Sequence, residues 1–190
     1  MANVVAVVLL FSGKRKSGKD YVVAELSKLL GEEKCEVLRL SAPLKKQYAL
    51  EHDLDFEKLL DSSIYKEKFR KSMIEWGELK RKENPEFFCD SVTKDACKPI
   101  MVISDGRRRT DMKYFRERFK TIHVRVEASD KIRKLRGWSF VGGIDDAESE
   151  CDLDNETVDV FVDNNGDSKA LETVLKELTQ LALSELNNKN

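Results

Sequence analysis

The sequence predicts an α/β fold around a mainly parallel sheet, and three observations carry that expectation. Short apolar runs alternate with amphipathic stretches. The runs are rich in β-branched residues and leucine along their whole length, as strands buried on both faces are. The first run leads directly into a glycine-bounded basic loop that opens a helix. The candidate strands are residues 4–11, 36–40, 100–104, 122–126 and 158–162. The first helix is expected over about 19–30, with Gly31 standing where a C-terminal cap belongs. Residues 42–97, between the second and third strands, are far more than one crossover needs, so extra helical structure is expected there. Within it Tyr65, Phe69, Met73 and Trp76 recur at helical spacing and read as core packing. The last helix, about 168–186, carries Leu171, Val174, Leu175, Leu178 and Leu181 on one side and is expected to close the outer face of the sheet.

A chain of 190 residues with 41% hydrophobic content suits one domain with a substantial core, and no internal repeat or linker divides it. Charged residues reach 36%, yet 34 basic against 35 acidic residues leave a net charge of −1. There is no overall pull toward nucleic acid or an anionic membrane, so a basic site must be a local cluster suited to a small anionic ligand. Cys35, Cys89, Cys97 and Cys151 form no CxxC pair, and His52 and His123 stand far apart, which supports neither a zinc site nor a disulfide framework. The first apolar run is too short to span a bilayer and lacks the flanks of a signal peptide, while Asn187-Asn188-Lys189-Asn190 matches no retention or peroxisomal signal. A reducing compartment, most simply the cytosol, is expected.

The strongest motif is Gly13-Lys14-Arg15-Lys16-Ser17-Gly18-Lys19-Asp20, placed between the first strand and the first helix. It matches GxxxxGK: the glycines let backbone N–H groups turn toward a β-phosphate, the helix N-terminus adds partial positive charge, and Lys19 reaches the β- and γ-phosphates. The last position, usually Ser or Thr for Mg²⁺, is Asp20, still a hard oxygen ligand, so strong metal dependence is expected. Lys14, Arg15 and Lys16 exceed what a nucleotide loop needs, and extra cations suggest extra phosphates.

Further along, Lys66, Arg70, Gly77 and Arg81 fall on a common helical face beside the aromatic stripe, where they either bind anions or form a solvated face. The third strand delivers Ser104-Asp105-Gly106-Arg107-Arg108-Arg109 into a loop. Because ligands of open parallel sheets sit at the carboxyl ends of the strands, Asp105 reads as a carboxylate holding magnesium through water, or else as a helix or turn cap, with Arg107 and Arg108 beside the reacting phosphates. Arg133-Lys134-Leu135-Arg136-Gly137-Trp138 reads as a helix leading to a glycine-flanked lid, with Arg136 as the cation it lowers onto the nucleotide phosphates. The acidic run Asp145, Asp146, Glu148, Glu150, Asp152 and Asp154 reads as a solvated loop that helps position the lid; no catalytic role follows from it.

These residues together resemble the animal-type phosphomevalonate kinases, P-loop enzymes of the nucleoside-monophosphate-kinase architecture. The resemblance runs through Leu9-Leu10-Phe11-Ser12 and the loop, Leu38-Arg39-Leu40-Ser41, Pro43-Leu44-Lys45, Tyr65-Lys66-Glu67, Trp76-Gly77-Glu78, Lys80-Arg81 and Phe87-Phe88-Cys89. It continues in Arg136-Gly137-Trp138, Asp145-Asp146-Ala147-Glu148-Ser149-Glu150-Cys151 and Leu153-Asp154-Asn155, and so spans essentially the whole chain. The aspartate ending the loop belongs to that pattern. The resemblance implies a P-loop kinase with a central five-stranded parallel sheet flanked by helices, a helical substrate-binding insertion at about 43–98 and a mobile lid at about 129–145, all within one domain over 1–190. It implies a monomer that binds neither nucleic acid nor membrane and uses Mg²⁺ to pass the γ-phosphoryl of ATP to 5-phosphomevalonate. By the same resemblance Gly13, Lys14, Arg15, Lys16, Ser17, Gly18, Lys19, Asp20, Arg136 and Asn165 bind ATP, Asn165 standing where vertebrate members carry histidine. Lys45, Lys66, Arg70, Arg81, Arg107, Arg108 and Asn164 bind substrate; Lys14, Arg15, Lys19, Asp20 and Asp105 are catalytic; Asp20 and Asp105 serve the metal.

A phosphate monoester has its second pKa near ~6, so the acceptor is already ionised at neutral pH and neither histidine need be catalytic. Repulsion between two polyanions is the difficulty, and positioned cations relieve it. Three rival readings remain: a nucleoside monophosphate as acceptor; a GTPase, whose guanine motif Asn164-Asn165-Gly166-Asp167 only partly matches; and a non-catalytic module, which would be expected to lack Lys19 or Asp105.

Overall fold

The computed structural model describes residues 5–60 and 64–189. Among these, five strands, β1 (Val7–Ser12), β2 (Cys35–Leu38), β3 (Ile100–Ile103), β4 (Thr121–Glu127) and β5 (Val160–Asp163), form one sheet in the order β2-β3-β1-β4-β5. Every pairing is parallel. All the predicted strands are present, displaced by up to three residues at their ends; residue 4, the expected start of the first strand, and Asn190 lie outside the described residues.

The unbroken apolar text of β1 has a direct cause. Val7, Leu9 and Phe11 point to one face, where they meet Val22, Leu26 and Leu30 of α1 (Lys19–Leu30) and Leu171, Leu175, Leu178 and Ala182 of the C-terminal helix (Ser168–Lys189). Val8 and Leu10 point to the other, against Met112 and Phe115 of the helix Arg109–Arg118 and Cys89 of the helix Phe87–Thr93. Each face is thus covered by helices, as a parallel sheet requires. Helix α1 spans the predicted residues and stops at Gly31, whose N–H bonds the Ser27 carbonyl. The C-terminal helix runs on to Lys189, and its buried stripe passes through Ala182 instead of Leu181, which is 38% exposed. Residues 171, 175, 178 and 182 keep the four-three-four spacing of one helical face, and Leu181 falls a residue's rotation away from it.

The segment between β2 and β3 holds α2 (Ser41–Glu51), α3 (Phe56–Leu60), α4 (Ile64–Glu83) and α5 (Phe87–Thr93). It builds a small core of its own from Tyr48, Ala49, Leu59 and Met73, packed by Tyr65, Phe69 and Trp76, so the aromatic stripe is core as expected. This insertion stands over the carboxyl ends of β2 and β3 and walls one side of a crevice. On the other side, α6 (Arg109–Arg118) follows β3; after β4 come α7 (Asp130–Leu135), a loop, and α8 (Glu148–Cys151), whose segment folds back over the first loop. The C-terminal helix is α9.

Candidate active site

The glycine-bounded loop lies between β1 and α1, and its two bounding glycines are dictated by space. Gly13 has φ +151° and a Cβ there would stand 2.4 Å from the Val126 carbonyl oxygen; Gly18 has φ +86° and its Cβ would stand 2.2 Å from Asn164 Nδ2. The loop is braced from behind. Asn164 Nδ2 and Arg136 Nη1 donate to the Ser17 carbonyl at 2.9 and 2.8 Å, Arg136 Nη1 reaches the Lys16 carbonyl at 3.3 Å, and Arg136 Nη2 donates to the Asn164 carbonyl at 2.8 Å. Asn165 accepts from the Ser129 N–H at 2.8 Å, fixing the start of α7.

Arg136 thus grips the loop carbonyls, and Asn164, carried by β5 at the sheet edge opposite β2 and β3, braces the same loop.

Lys19 is nearly buried, and its Nζ donates to the Ser104 carbonyl at 2.5 Å and lies 3.7 Å from Asp20. Burial, then the Arg107 guanidinium, holds its pKa below the usual lysine value against the pull of Asp105 and Asp20. Asp105 accepts from the Leu40 N–H at 2.7 Å and the Ser41 N–H at 3.1 Å, so each of its oxygens serves the N-terminus of α2. Burial raises its pKa, but the Lys19 charge and the Ser41 hydrogen bond outweigh it and leave the carboxyl below its ordinary value. Asp105 thus caps α2, the alternative that the sequence offers for it: the end of β3 sits beside the start of α2, and the helix N–H groups bond the carboxylate. Asp20 has 73% of its side chain exposed at the loop mouth.

Two cavities open from this point. One, of about 570 Å³, lies over the loop from Gly13 to Asp20 and is also lined by Lys66, Arg70, Arg107, Gly137 and Ser139. The other, of about 130 Å³, lies against the insertion and has an apolar wall of Leu40, Leu44, Met73, Ile74 and Ile144. Its charged lining includes Lys45, Lys66, Arg70, Arg81, Asp105, Arg107 and Arg108. Lys66, Arg70 and Arg107 line both, so the common helical face of α4 does turn to one site. Lys45 is held at a pKa of about 8 by burial, reinforced by the nearby Lys66, Arg39 and Arg70 charges against Asp105.

The cations are heavily paired. Arg81 binds the fully buried Asp111 at 2.6 Å, Arg70 pairs with Glu67, and Arg108 pairs with Glu78 and, at 2.9 Å, with Glu148. The acidic run is where the sequence reading missed most. Asp154 takes Lys14 at 2.6 Å, Asp145 takes Arg15 at 2.8 Å, and Glu150 takes Arg107. Asp145 also accepts from Trp138 Nε1 at 3.0 Å and the Val141 N–H at 2.8 Å, tying the segment after α7 to the loop. Arg133, unassigned from sequence, donates to the Arg15 carbonyl at 2.9 Å and stacks on Trp138 at 3.9 Å. Arg125, also missed, binds Asp154 at 2.7 Å from within β4; an arginine set between Val124 and Val126 in a buried strand was the available signal.

A parallel sheet with a phosphate loop after its first strand, and a second cation-lined cavity meeting the first, defines a P-loop kinase acting on a small anionic molecule. The phosphomevalonate kinase family profile matches residues 11–121, and a phosphomevalonate kinase of Drosophila melanogaster is 37% identical over 182 residues, 90% of this chain and 96% of that one. The chain belongs to the phosphomevalonate kinase family and is an ATP-dependent phosphotransferase. A gluconokinase from Sinorhizobium meliloti shares the fold, with a TM-score of 0.52 at 13% identity over 97% of this chain and 98% of that one. The family implies ATP with a divalent metal. Among the described residues no helix is long and apolar enough to cross a membrane.

Asp105→Asn keeps one acceptor for two N–H groups and removes the counter-charge of Lys19. It is expected to lower stability by about 2 kcal/mol in urea unfolding, with the Mg²⁺ dependence of turnover unchanged; a shifted metal dependence would restore the metal role.

Proposed function

We propose that this chain transfers the γ-phosphoryl group of ATP to the phosphate of (R)-5-phosphomevalonate, giving ADP and 5-diphosphomevalonate, in the mevalonate route to isoprenoid and sterol precursors. The observation that carries the reading is the junction of the two cavities at Lys66, Arg70 and Arg107. One cavity offers a loop for a nucleotide triphosphate. The other offers cations at its mouth and an apolar wall, which suits a branched, methyl-bearing chain ending in anions.

The acceptor phosphate oxygen attacks the γ-phosphorus, a P–O bond forms, and the bond to the bridging oxygen breaks with its electron pair leaving on ADP. The acceptor is already ionised, so no side chain need take a proton, in keeping with His123: it is fully buried, with Nε2 on Ser12 Oγ and Nδ1 on the Thr157 carbonyl, away from the cavities. Lys19 and Arg107 spread the charge that gathers between the phosphates, and Lys45, Lys66 and Arg70 hold the acceptor in line. Mg²⁺, when bound through Asp20 and phosphate oxygens, would neutralise β- and γ-phosphate charge. Among the described residues no group of three His, Cys, Asp or Glu could hold a metal. The reading includes a monomer with a lid over 129–145 that moves in turnover, working in the cytosol, in keeping with four free thiols.

The direct test is ADP release with MgATP and 5-phosphomevalonate, with mevalonate and nucleoside monophosphates as parallel acceptors. Turnover with 5-phosphomevalonate alone is expected; turnover with a nucleotide would overturn the acceptor assignment.

Gly77 sits mid-helix in α4, where a Cβ would stand 2.7 Å from Leu44 Cδ1. Gly77→Ala is expected to push Leu44 into the acceptor cavity and raise KM for 5-phosphomevalonate about tenfold, with KM for ATP unchanged and thermal stability not lowered.

Lys45 binds an anion only when protonated. Because its pKa is lowered to about 8, kcat/KM for the acceptor is expected to fall as pH rises through that value. Lys45→Arg, which stays charged, is expected to abolish that fall in a pH profile of kcat/KM.

A further inference from the structure

The acidic run from Asp145 to Asp154 is absorbed by no step of the reaction, yet its carboxylates take the cations that the phosphates need. Glu150 is the sharpest case. Its side chain is only 5% exposed; Oε2 accepts the Arg15 N–H of the phosphate loop at 3.0 Å, and Oε1 pairs with the Arg107 guanidinium. A loop N–H together with an arginine is the donor set a phosphate oxygen seeks. Glu150 also lines the acceptor cavity, and its charge is felt by Lys19 and Arg70. Around it, the Glu150 carbonyl takes Lys14 Nζ at 2.8 Å, Asp145 takes Arg15, and Glu148, 76% exposed, takes Arg108.

We propose that Glu150 is a positioning residue of the phosphate site, an internal counter-anion that holds Arg107 in the free enzyme and competes with the acceptor's phosphate for it. The inference rests on the acceptor assignment above. Without such a carboxylate, the Arg107 guanidinium, whose charge already lowers the Lys19 pKa, would face Lys19 with less negative charge at the junction. With it, an arriving phosphate must take Arg107 from a bonded partner and then sit near a negative charge. Binding is weakened, and the diphosphate product, which carries still more charge, is released more readily. Glu150 thus keeps a strongly basic crevice from trapping its own product. It is suited to this because Oε2 is held by the Arg15 N–H, so the carboxylate stays at the junction when Arg107 turns away from Oε1.

The test is isothermal titration of 5-phosphomevalonate and of MgATP into the unaltered chain and into Glu150→Gln. The glutamine keeps an acceptor for the Arg15 N–H but removes the charge. A unit charge about 8 Å away at an effective dielectric of about 20 corresponds to roughly tenfold or more in affinity. Glu150→Gln is therefore expected to bind 5-phosphomevalonate about tenfold more tightly, with a smaller change for MgATP and a lower KM for the acceptor. A merely structural role would weaken binding of both ligands, and unchanged or weaker acceptor binding would overturn the inference. Should Glu150→Gln fail to fold, Glu148→Gln on the exposed partner of Arg108 is expected to tighten acceptor binding about twofold; no tightening there would overturn it as well. Tight MgATP binding without any 5-phosphomevalonate binding by the unaltered chain would instead sink the acceptor assignment, and the inference with it.

Discussion

Mutual repulsion among cations gathered in one crevice is the constraint on which the rest of this structure depends. Two like charges about 8 Å apart cost roughly 2 kcal/mol at an effective dielectric of ~20, and Lys19, Lys45, Lys66, Arg70 and Arg107 all line the two adjoining cavities. A net charge of −1 distributes as many acids as bases over the chain, but the acids have to be near these bases to help. The fold brings them there from a distance. Asp145 and Asp154 come back to Arg15 and Lys14 across 130 and 140 positions of sequence, carried by β4 and the segment after α7. The same pairs pin the segment after α7 against the phosphate loop, so charge compensation and the placement of that segment are one arrangement.

The site also divides its labour between apolar and charged surfaces. Leu40, Leu44, Met73, Ile74 and Ile144 line the acceptor cavity on the side of the insertion and the segment after α7, while arginines and lysines line its mouth toward the loop. Met73 belongs both to this wall and to the insertion's own small core, so the cavity's shape rests on packing around Tyr48 and Leu59. Gly77 then has a reason to stay in a helix interior, where it costs about 1 kcal/mol relative to alanine. The missing side chain leaves Leu44 in place and the cavity open.

Much of the fold was legible because it rests on local pattern. A strand buried on both faces must read as an unbroken apolar run, and a loop that cradles phosphate must carry glycine where a Cβ would strike Val126 or Asn164. The α4 face was legible too, since helical periodicity alone aligns Lys66, Arg70, Gly77 and Arg81. What escaped the sequence was partner choice. Asp105 has the same text whether it serves a metal or a helix end, and the neighbouring N-terminus of α2, which claims it, starts more than sixty positions earlier. Arg136 and Asn164 turn to loop carbonyls because the sheet order places β5 and the end of α7 behind the loop, a fact no local pattern encodes. The acidic run read as solvated for the same reason: its partners are long-range.

Burial and hydrogen-bond saturation separate the carboxylates of this crevice into two kinds. Asp111 is fully buried and saturated: Oδ1 takes Arg81, and Oδ2 takes the Arg107 and Arg108 N–H groups at the start of α6. Removing a cation from it would strand a buried charge, at a cost of several kcal/mol. Such a pair is permanent, and it sets where Arg107 and Arg108 begin. Glu148 and Asp154 are different, with side chains 76% and 35% exposed, so solvent can take over when a ligand draws their cations away. Glu150 stands between these limits, sequestered like Asp111 yet bonded to a side chain that can turn. A site that must bind two polyanions and then release a larger one needs both kinds: fixed anions to build the cradle, and exchangeable ones to keep it from closing on what it has made.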